Sequence, residues 1–167
     1  SVISDKKGNL WIGTNGGGIN YFDNQTKKFN YIIPPTADPT VRQQGAVMAL
    51  REDHAGKIWI GTYLGGLLVY DPQTKAFKNY YTKSDAKKGY SINNNIINSI
   101  FEDKQGNIWI ATNGGGVNRL NPKTEAVTIY TNNSKSDFLL SSNYCNHVTQ
   151  DHLGYIWVST LYGLNQI

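Results

Sequence analysis

The sequence is short of cysteine, of charge and of long apolar runs. Cys145 is the only cysteine among 167 residues, which excludes an internal disulfide and a thiolate metal cluster. No apolar stretch approaches the roughly 18–20 residues that cross a bilayer as a helix, so this segment is expected to make no membrane contact. Charged residues make up only 17%, too few for a solvated, disordered tail. A sustained apolar period of 3.6 is also missing, which argues against helices. The chain opens without Met at Ser1-Val2-Ile3, already in a strand-like pattern, and carries no signal peptide. A piece of a longer parent is therefore expected.

What is present is glycine, at 17 residues, and aromatics, at 12%. That mixture suits a β protein with many tight turns. The net charge is +4, but Lys6, Lys7, Lys27, Lys28, Lys57, Lys75, Lys104 and Lys123 all fall in or beside short turns. They recur with a repeat, so they read as solvated turn residues, and no nucleic-acid partner is expected.

The repeat is announced by Trp11, Trp59, Trp109 and Trp157. Each sits in one phrase: GNLWIGT at 8–14, GKIWIGT at 56–62, GNIWIAT at 106–112 and GYIWVST at 154–160. An aspartate precedes the phrase's first glycine by three residues each time: Asp5 with Gly8, Asp53 with Gly56, Asp103 with Gly106 and Asp151 with Gly154. Around this phrase the sequence supplies four short runs per period, rich in Ile, Val, Tyr, Phe and Trp and bounded by Gly, Asn, Asp or Pro. Strand A covers 2–5, 46–53, 96–103 and 145–151, and strand B is the tryptophan phrase. Strand C covers 17–23, 65–71, 115–121 and 163–167. Strand D covers 27–32, 75–81 and 125–131 and has no fourth copy.

Asp-x-x-Gly between A and B fits a type I turn, as do Asp23-Asn24, Asp71-Pro72 and Asn121-Pro122 between C and D. Four-stranded antiparallel meanders at this period predict an all-β fold of propeller blades. The expected architecture is a partial β-propeller over 1–167, with repeats at about 1–45, 46–95, 96–144 and 145–167. That makes about three complete blades plus three strands of a fourth. In each blade the tryptophan is expected to fill the wedge between neighbouring sheets. The outer faces of the end blades would stay open, inviting either further blades of a parent or a second copy.

In such meanders the B–C and D–A connections emerge on one face. The D–A connections, 33–45, 82–95 and 132–144, are long and differ from one another, and recognition commonly sits on variable loops above a regular scaffold. The candidate ligand-binding residues there are Asn15, Arg42, Tyr63, Tyr90, Asn113 and Tyr162. Tyrosine rings can stack on apolar sugar faces and asparagine amides can bond hydroxyls, so an oligosaccharide is the expected partner.

Catalytic chemistry is weakly represented. His54 and His152 each follow a turn aspartate and read as turn residues. His147 lies in strand A, expected to line the central channel, with no acidic cluster beside it. The recurring aspartates read as turn closure, not as paired acids. The Gly-Gly-Gly runs at 16–18 and 114–116 join strands, without a following helix to hold phosphate. No cofactor or metal is expected.

The phrase D-x-x-G-x-[IL]-W-[IV]-x-T, then G-G-[LIV] and [YFL]-[DN]-x-x-T, carried by Asp53 through Thr74 and its relatives, closely resembles the two-component-regulator propeller repeat. Leu140-Ser141-Ser142-Asn143-Tyr144 resembles the repeat's lead-in to strand A, and Ser91-Ile92-Asn93-Asn94-Asn95 stands there in the third copy. Two departures are visible. Ala111 and Ser159 replace the glycine of Gly13 and Gly61, and the fourth B–C loop is one residue shorter. Both are expected to affect loop detail only.

The resemblance implies an extracytoplasmic sensor of a Bacteroides-type hybrid two-component histidine kinase, periplasmic and anchored through its parent in the inner membrane. Two seven-bladed propellers upstream of a membrane span, and signals from glycan-derived oligosaccharides, are typical of that family. The segment itself would be non-catalytic. A streptogramin-lyase-like, metal-dependent propeller enzyme and a plain interaction or dimerisation scaffold are the alternatives.

Overall fold

The computed structural model describes residues 1–33, 46–80, 91–133 and 138–167. Its strands fall into four consecutive antiparallel sheets, each in simple chain order. Sheet 1 contains β1 (Val2–Ser4), β2 (Leu10–Gly13), β3 (Ile19–Asp23) and β4 (Lys28–Ile32). Sheet 2 contains β5 (Val47–Glu52), β6 (Ile58–Thr62), β7 (Leu67–Asp71) and β8 (Ala76–Tyr80). Sheet 3 contains β9 (Ile97–Glu102), β10 (Ile108–Thr112), β11 (Val117–Leu120) and β12 (Val127–Tyr130). Sheet 4 has three strands: β13 (Cys145–Gln150), β14 (Ile156–Thr160) and β15 (Gly163–Gln166). The first strands of successive sheets lie together, β5 on β9 and β9 on β13. These are the blades of a partial β-propeller, here called blades 1 to 4.

The A–B turn explains the recurring phrase. In blade 1 the Gly8 amide donates to the Asp5 carbonyl at 2.9 Å and the Asp5 amide donates to Asn9 O at 2.9 Å. Gly8 sits at φ +78°, the left-handed position that ends a type I turn with a G1 bulge and that glycine fills without strain. The same amide-to-carbonyl bond closes the turn at Gly56, Gly106 and Gly154. The aspartate does a second job that turn reasoning misses. Its Oδ2 accepts the indole N–H of the tryptophan six residues on, at 3.0, 2.8, 2.7 and 2.8 Å in blades 1 to 4. One carboxylate thus closes the turn and fixes the orientation of the blade's largest side chain.

These bonds favour the ionised acid. The Trp157 bond, helped by amides of the turn, holds the Asp151 carboxyl below its ordinary value against the upward pull of desolvation. For Asp5 burial is the largest influence and works upward, but the bonds from Trp11, Asn9 and Lys7 together outweigh it.

The C–D turns are one residue longer than a bare type I turn. Lys75 N donates to Asp71 O and Glu125 N to Asn121 O, at 2.8 and 2.7 Å. The Asp or Asn side chain caps the next amides, as in Asp71 Oδ1 with Gln73 N at 2.9 Å. The added residue, Lys27, Lys75 or Glu125, takes φ near +60°, an uncommon conformation for a side chain with a Cβ.

Three apolar layers lie between the blades. Trp11 and Ile19 of blade 1 pack with Val47, Leu50, Ile58, Ile60, Leu68 and Tyr70 of blade 2. Trp59 and Leu67 of blade 2 join Ile97, Ile100, Ile108, Ile110 and Leu120 of blade 3. Trp109, Ala111 and Val117 of blade 3 join Cys145, Val148, Ile156 and Val158 of blade 4. Trp11, Trp59 and Trp109 therefore each face the blade that follows.

These layers also correct one expectation. Ala111 lies within β10 and Ser159 within β14, so neither replacement concerns a loop. A methyl built on Gly13 would come within 2.3 Å of Val47 Cγ1, and one on Gly61 within 2.5 Å of Ile97 Cγ2. In the next layer the counterpart of Val47 and Ile97 is Cys145, fully buried in one cluster with Ala111. Small and large residues trade volume across each interface, as close packing requires.

Candidate functional site

The face carrying the B–C loops is stitched together by backbone and asparagine bonds. In each of the first three loops a threonine hydroxyl donates locally: Thr14, Thr62 and Thr112 Oγ1 bond Gly18, Gly66 and Gly116 O at 3.0, 2.9 and 2.8 Å. The lead-ins to blades 3 and 4 lie over the loops of the preceding blades. Gly66 N bonds Asn95 O, and Gly114 and Gly116 N both bond Asn143 O. The lead-in of blade 3 is anchored by Asn118, whose Nδ2 reaches Asn93 Oδ1 at 2.8 Å while its Oδ1 accepts Asn93 N at 3.2 Å. Asn165 holds Ser141 of the next lead-in in the same way. Asn118 is fully buried, so its amide is a structural clamp, a role invisible while strand C was read only for its apolar positions.

On this framework Asn15 and Asn113 are exposed, and Tyr63 and Tyr162 project with 44% and 76% of their surface free. Tyr144, half exposed beside Gly114, adds a third ring. Arg42 and Tyr90 lie outside the described residues. Among the described residues no hydrogen bond or ring contact links Asn15, Tyr63, Asn113 and Tyr162 to one another. They occupy one side of the fold, one per blade, as separate polar and aromatic points. Leu64 also stands out. It takes φ +67° where blades 1 and 3 place Gly16 and Gly114, and the loop presents its side chain to solvent beside Tyr63.

The opposite side carries a groove of about 420 Å³ between blades 2 and 3, which sequence reasoning did not anticipate. It is lined by Trp59, Val69, Phe77 and Tyr80, with Lys57 and Lys123 at its rim. Its origin is local: the residue paired with the blade tryptophan across strands B and C is Tyr21, Val69, Arg119 and Gln166 in turn. Val69 is the smallest of the four and leaves the space that Tyr21 and Arg119 fill over their own tryptophans. An ion pair between Lys78 of blade 2 and Glu125 of blade 3 spans the groove.

His147 is exposed, and its Nδ1 lies 3.1 Å from Ser99 Oγ of blade 3. Among the described residues no three His, Cys, Asp or Glu side chains gather as metal ligands. Cys145 is buried, and desolvation pushes its thiol up to about 12, unsuited to nucleophilic use near neutrality. No helix in the described residues is long and apolar enough to cross a membrane.

Comparison with known proteins finds a match to one family model over part of the chain. Residues 1–16, 42–64 and 91–114 match the family model of the two component regulator propeller. No curated protein matches the chain. Among solved structures it is similar to the extracellular domain of a B. thetaiotaomicron protein described as a hybrid two-component system. That match has 30% identity and a TM-score of 0.72, over 99% of this chain and 22% of that one. An extracellular domain of the same organism described as a one-component system gives 25% identity and a TM-score of 0.79, over 99% and 21%. A streptogramin B lyase, at 19% identity and a TM-score of 0.71 over 99% and 53%, shares the fold alone. The chain spans about a fifth of the length of the two extracellular domains. Three stretches of the chain thus match the two component regulator propeller, and the chain is similar to the extracellular domain of a B. thetaiotaomicron hybrid two-component system.

Proposed function

We propose that this chain is part of the periplasmic sensor propeller of a hybrid two-component histidine kinase, and that the parent senses glycan-derived oligosaccharides to control polysaccharide utilisation. The observation that carries the reading is 30% identity over 99% of the chain to the extracellular domain of such a system. The loop face supports the ligand class. It pairs exposed tyrosine rings at 63, 144 and 162 with the amides of Asn15 and Asn113 on a framework locked by buried threonine and asparagine bonds. In this reading the segment performs no chemistry and the remaining blades of the parent are its partners. The exposure of His147, bonded to Ser99 without an acidic neighbour set, gives a lyase-like mechanism little to work with.

The experiment is a calorimetric screen of oligosaccharides from plant and host glycans against the complete ectodomain of the parent. One glycan class should bind, and Tyr63→Ala or Tyr162→Ala should weaken that binding by about tenfold if a stacked ring is lost. Metal-dependent turnover of a substrate by the ectodomain, with no sugar bound, would replace the sensor reading with the lyase one.

A further inference from the structure

At the loop end, blades 2 and 3 differ in the chemistry of three matching positions. Strand A of each blade bulges against strand B. Val47 pairs Thr62 and Ala49 pairs Gly61, which leaves Met48 as the extra residue. Ile97 pairs Thr112 and Ser99 pairs Ala111, which leaves Asn98. The other two positions lie in the B–C loop: Tyr63 and Leu64 in blade 2, Asn113 and Gly114 in blade 3. The Tyr63 amide donates to Ala46 O at 2.9 Å and the Asn113 amide to Ile96 O at 3.0 Å, so each loop is tied to the start of its own strand A. Blade 2 therefore carries two aliphatic side chains and a tyrosine where blade 3 carries two amides and a glycine.

The backbone turns both aliphatic side chains outward at a cost. A bulge gives up a place in the ladder and re-aims its side chain, and Met48 keeps 45% of its surface. Leu64 holds a left-handed conformation, which a side chain with a Cβ disfavours, and keeps 43%. Glycine fills the same place without strain at Gly16 and Gly114. Packing does not account for the leucine, since neither Leu64 nor Met48 belongs to an apolar layer between blades. Strain kept at an exposed position, with no packing gained, points to a contact with something outside the chain.

The side chains select what that is. Leu64 offers no hydrogen bond and Met48 only a weak acceptor, so both favour an apolar group. Tyr63 adds a ring beside them. On blade 3, Asn98 Nδ2 is engaged by Cys145 O at 2.8 Å. Asn113 is exposed, and among the described residues its side-chain amide has no partner, while Asn94 Nδ2 holds its backbone carbonyl at 3.0 Å. An apolar corner thus adjoins a free amide. Three side chains are too few for the core of a protein interface, but they match one sugar ring that bears a methyl group.

We propose that Met48, Tyr63 and Leu64 seat the methyl of an N-acetylated or 6-deoxy sugar while Asn113 bonds its hydroxyls, an assignment that builds on the sugar-sensing reading.

Matched sugars test it by calorimetry on the complete ectodomain of the parent. Chitobiose differs from cellobiose by its acetamido groups, and L-fucose differs from L-galactose by a methyl in place of a hydroxymethyl. In at least one pair the methyl-bearing member should bind about fivefold tighter, the factor of roughly one buried methyl group. Leu64→Gly should remove most of that preference. It should also raise the thermal midpoint by about 2 °C, because the strain is released. Met48→Asn, which installs the blade 3 residue, should lessen the preference without help from Leu64→Gly. A preference that survives Leu64→Gly, binding without preference, or no binding of either pair would overturn the seat. A lowered midpoint in Leu64→Gly would make the leucine a packing residue and overturn it too. So would self-association in sedimentation that responds to Leu64→Gly while sugar binding does not, since the corner would then be a protein contact. The sensor reading survives each of these results as long as some glycan of the wider screen binds; when none does, both fall.

Discussion

Blades 2 and 4 share the tryptophan phrase and the aspartate turn, yet one is enclosed and the other is open. Trp59 retains 2% of its surface and Leu67 none, between blades 2 and 3. At the matching places in blade 4 Trp157 is partly exposed and Leu164 largely so. The bond from indole to turn aspartate does not differ: Trp59 and Trp157 both reach their aspartate at 2.8 Å. The aspartate–tryptophan bond is thus completed within the blade, whereas apolar burial belongs to pairs of blades, as in other repeat arrays.

The sharpest way to break this comparison is to truncate the two tryptophans. Trp59→Ala should cost about 3–5 kcal/mol, while Trp157→Ala should cost well under half of that because less area leaves a packed layer. Urea unfolding of the two variants measures both, and equal losses would mean that the open face is covered in solution.

A smaller effect probes the volume trade. Gly61→Ala should destabilise by about 1–3 kcal/mol through overpacking against Ile97. Adding Ile97→Cys reproduces the Ala111 and Cys145 arrangement of the next interface and should return part of the loss. Lack of coupling in that double-mutant cycle would dissociate the two positions.

The smallest effect is electrostatic. The folded value of Asp151 lies below its ordinary 3.8. Its contribution is therefore complete above the unfolded value and disappears as pH falls through the folded one, so it is lost in the window below about pH 4. Asp151→Asn should flatten the acid limb of stability measured by urea midpoints between pH 7 and pH 2. An acid limb unchanged by the substitution would sink the assignment.

The strands were legible because each is signalled within its own period. Observed strands lie inside the expected ones, trimmed by a residue or two at the turns, as with Leu67–Asp71 inside 65–71. The turn glycines were legible for the same reason. What escaped were roles whose partner lies in another blade or another strand. The Asp–Trp bond recurs at a fixed spacing of six and could have been found by asking what the second carboxylate oxygen does. The bond from His54 N to Glu102 spans 48 residues and leaves only a weak trace, an acidic or amide residue before three of the four turn aspartates. The candidate site was legible as a face but not as a pocket, since surface loops carry no periodic packing constraint to fix their side chains.

The graded contacts at Gly13 with Val47, Gly61 with Ile97 and Ala111 with Cys145 bear on how such an array can change over generations. Near-identical phrases invite recombination that deletes or transposes a unit. A transposed blade 3 would bring Ala111 against a β-branched Val47 or Ile97, where even one methyl has no room. The units therefore carry individual addresses beneath their common phrase, and the order of the blades is protected by steric mismatch.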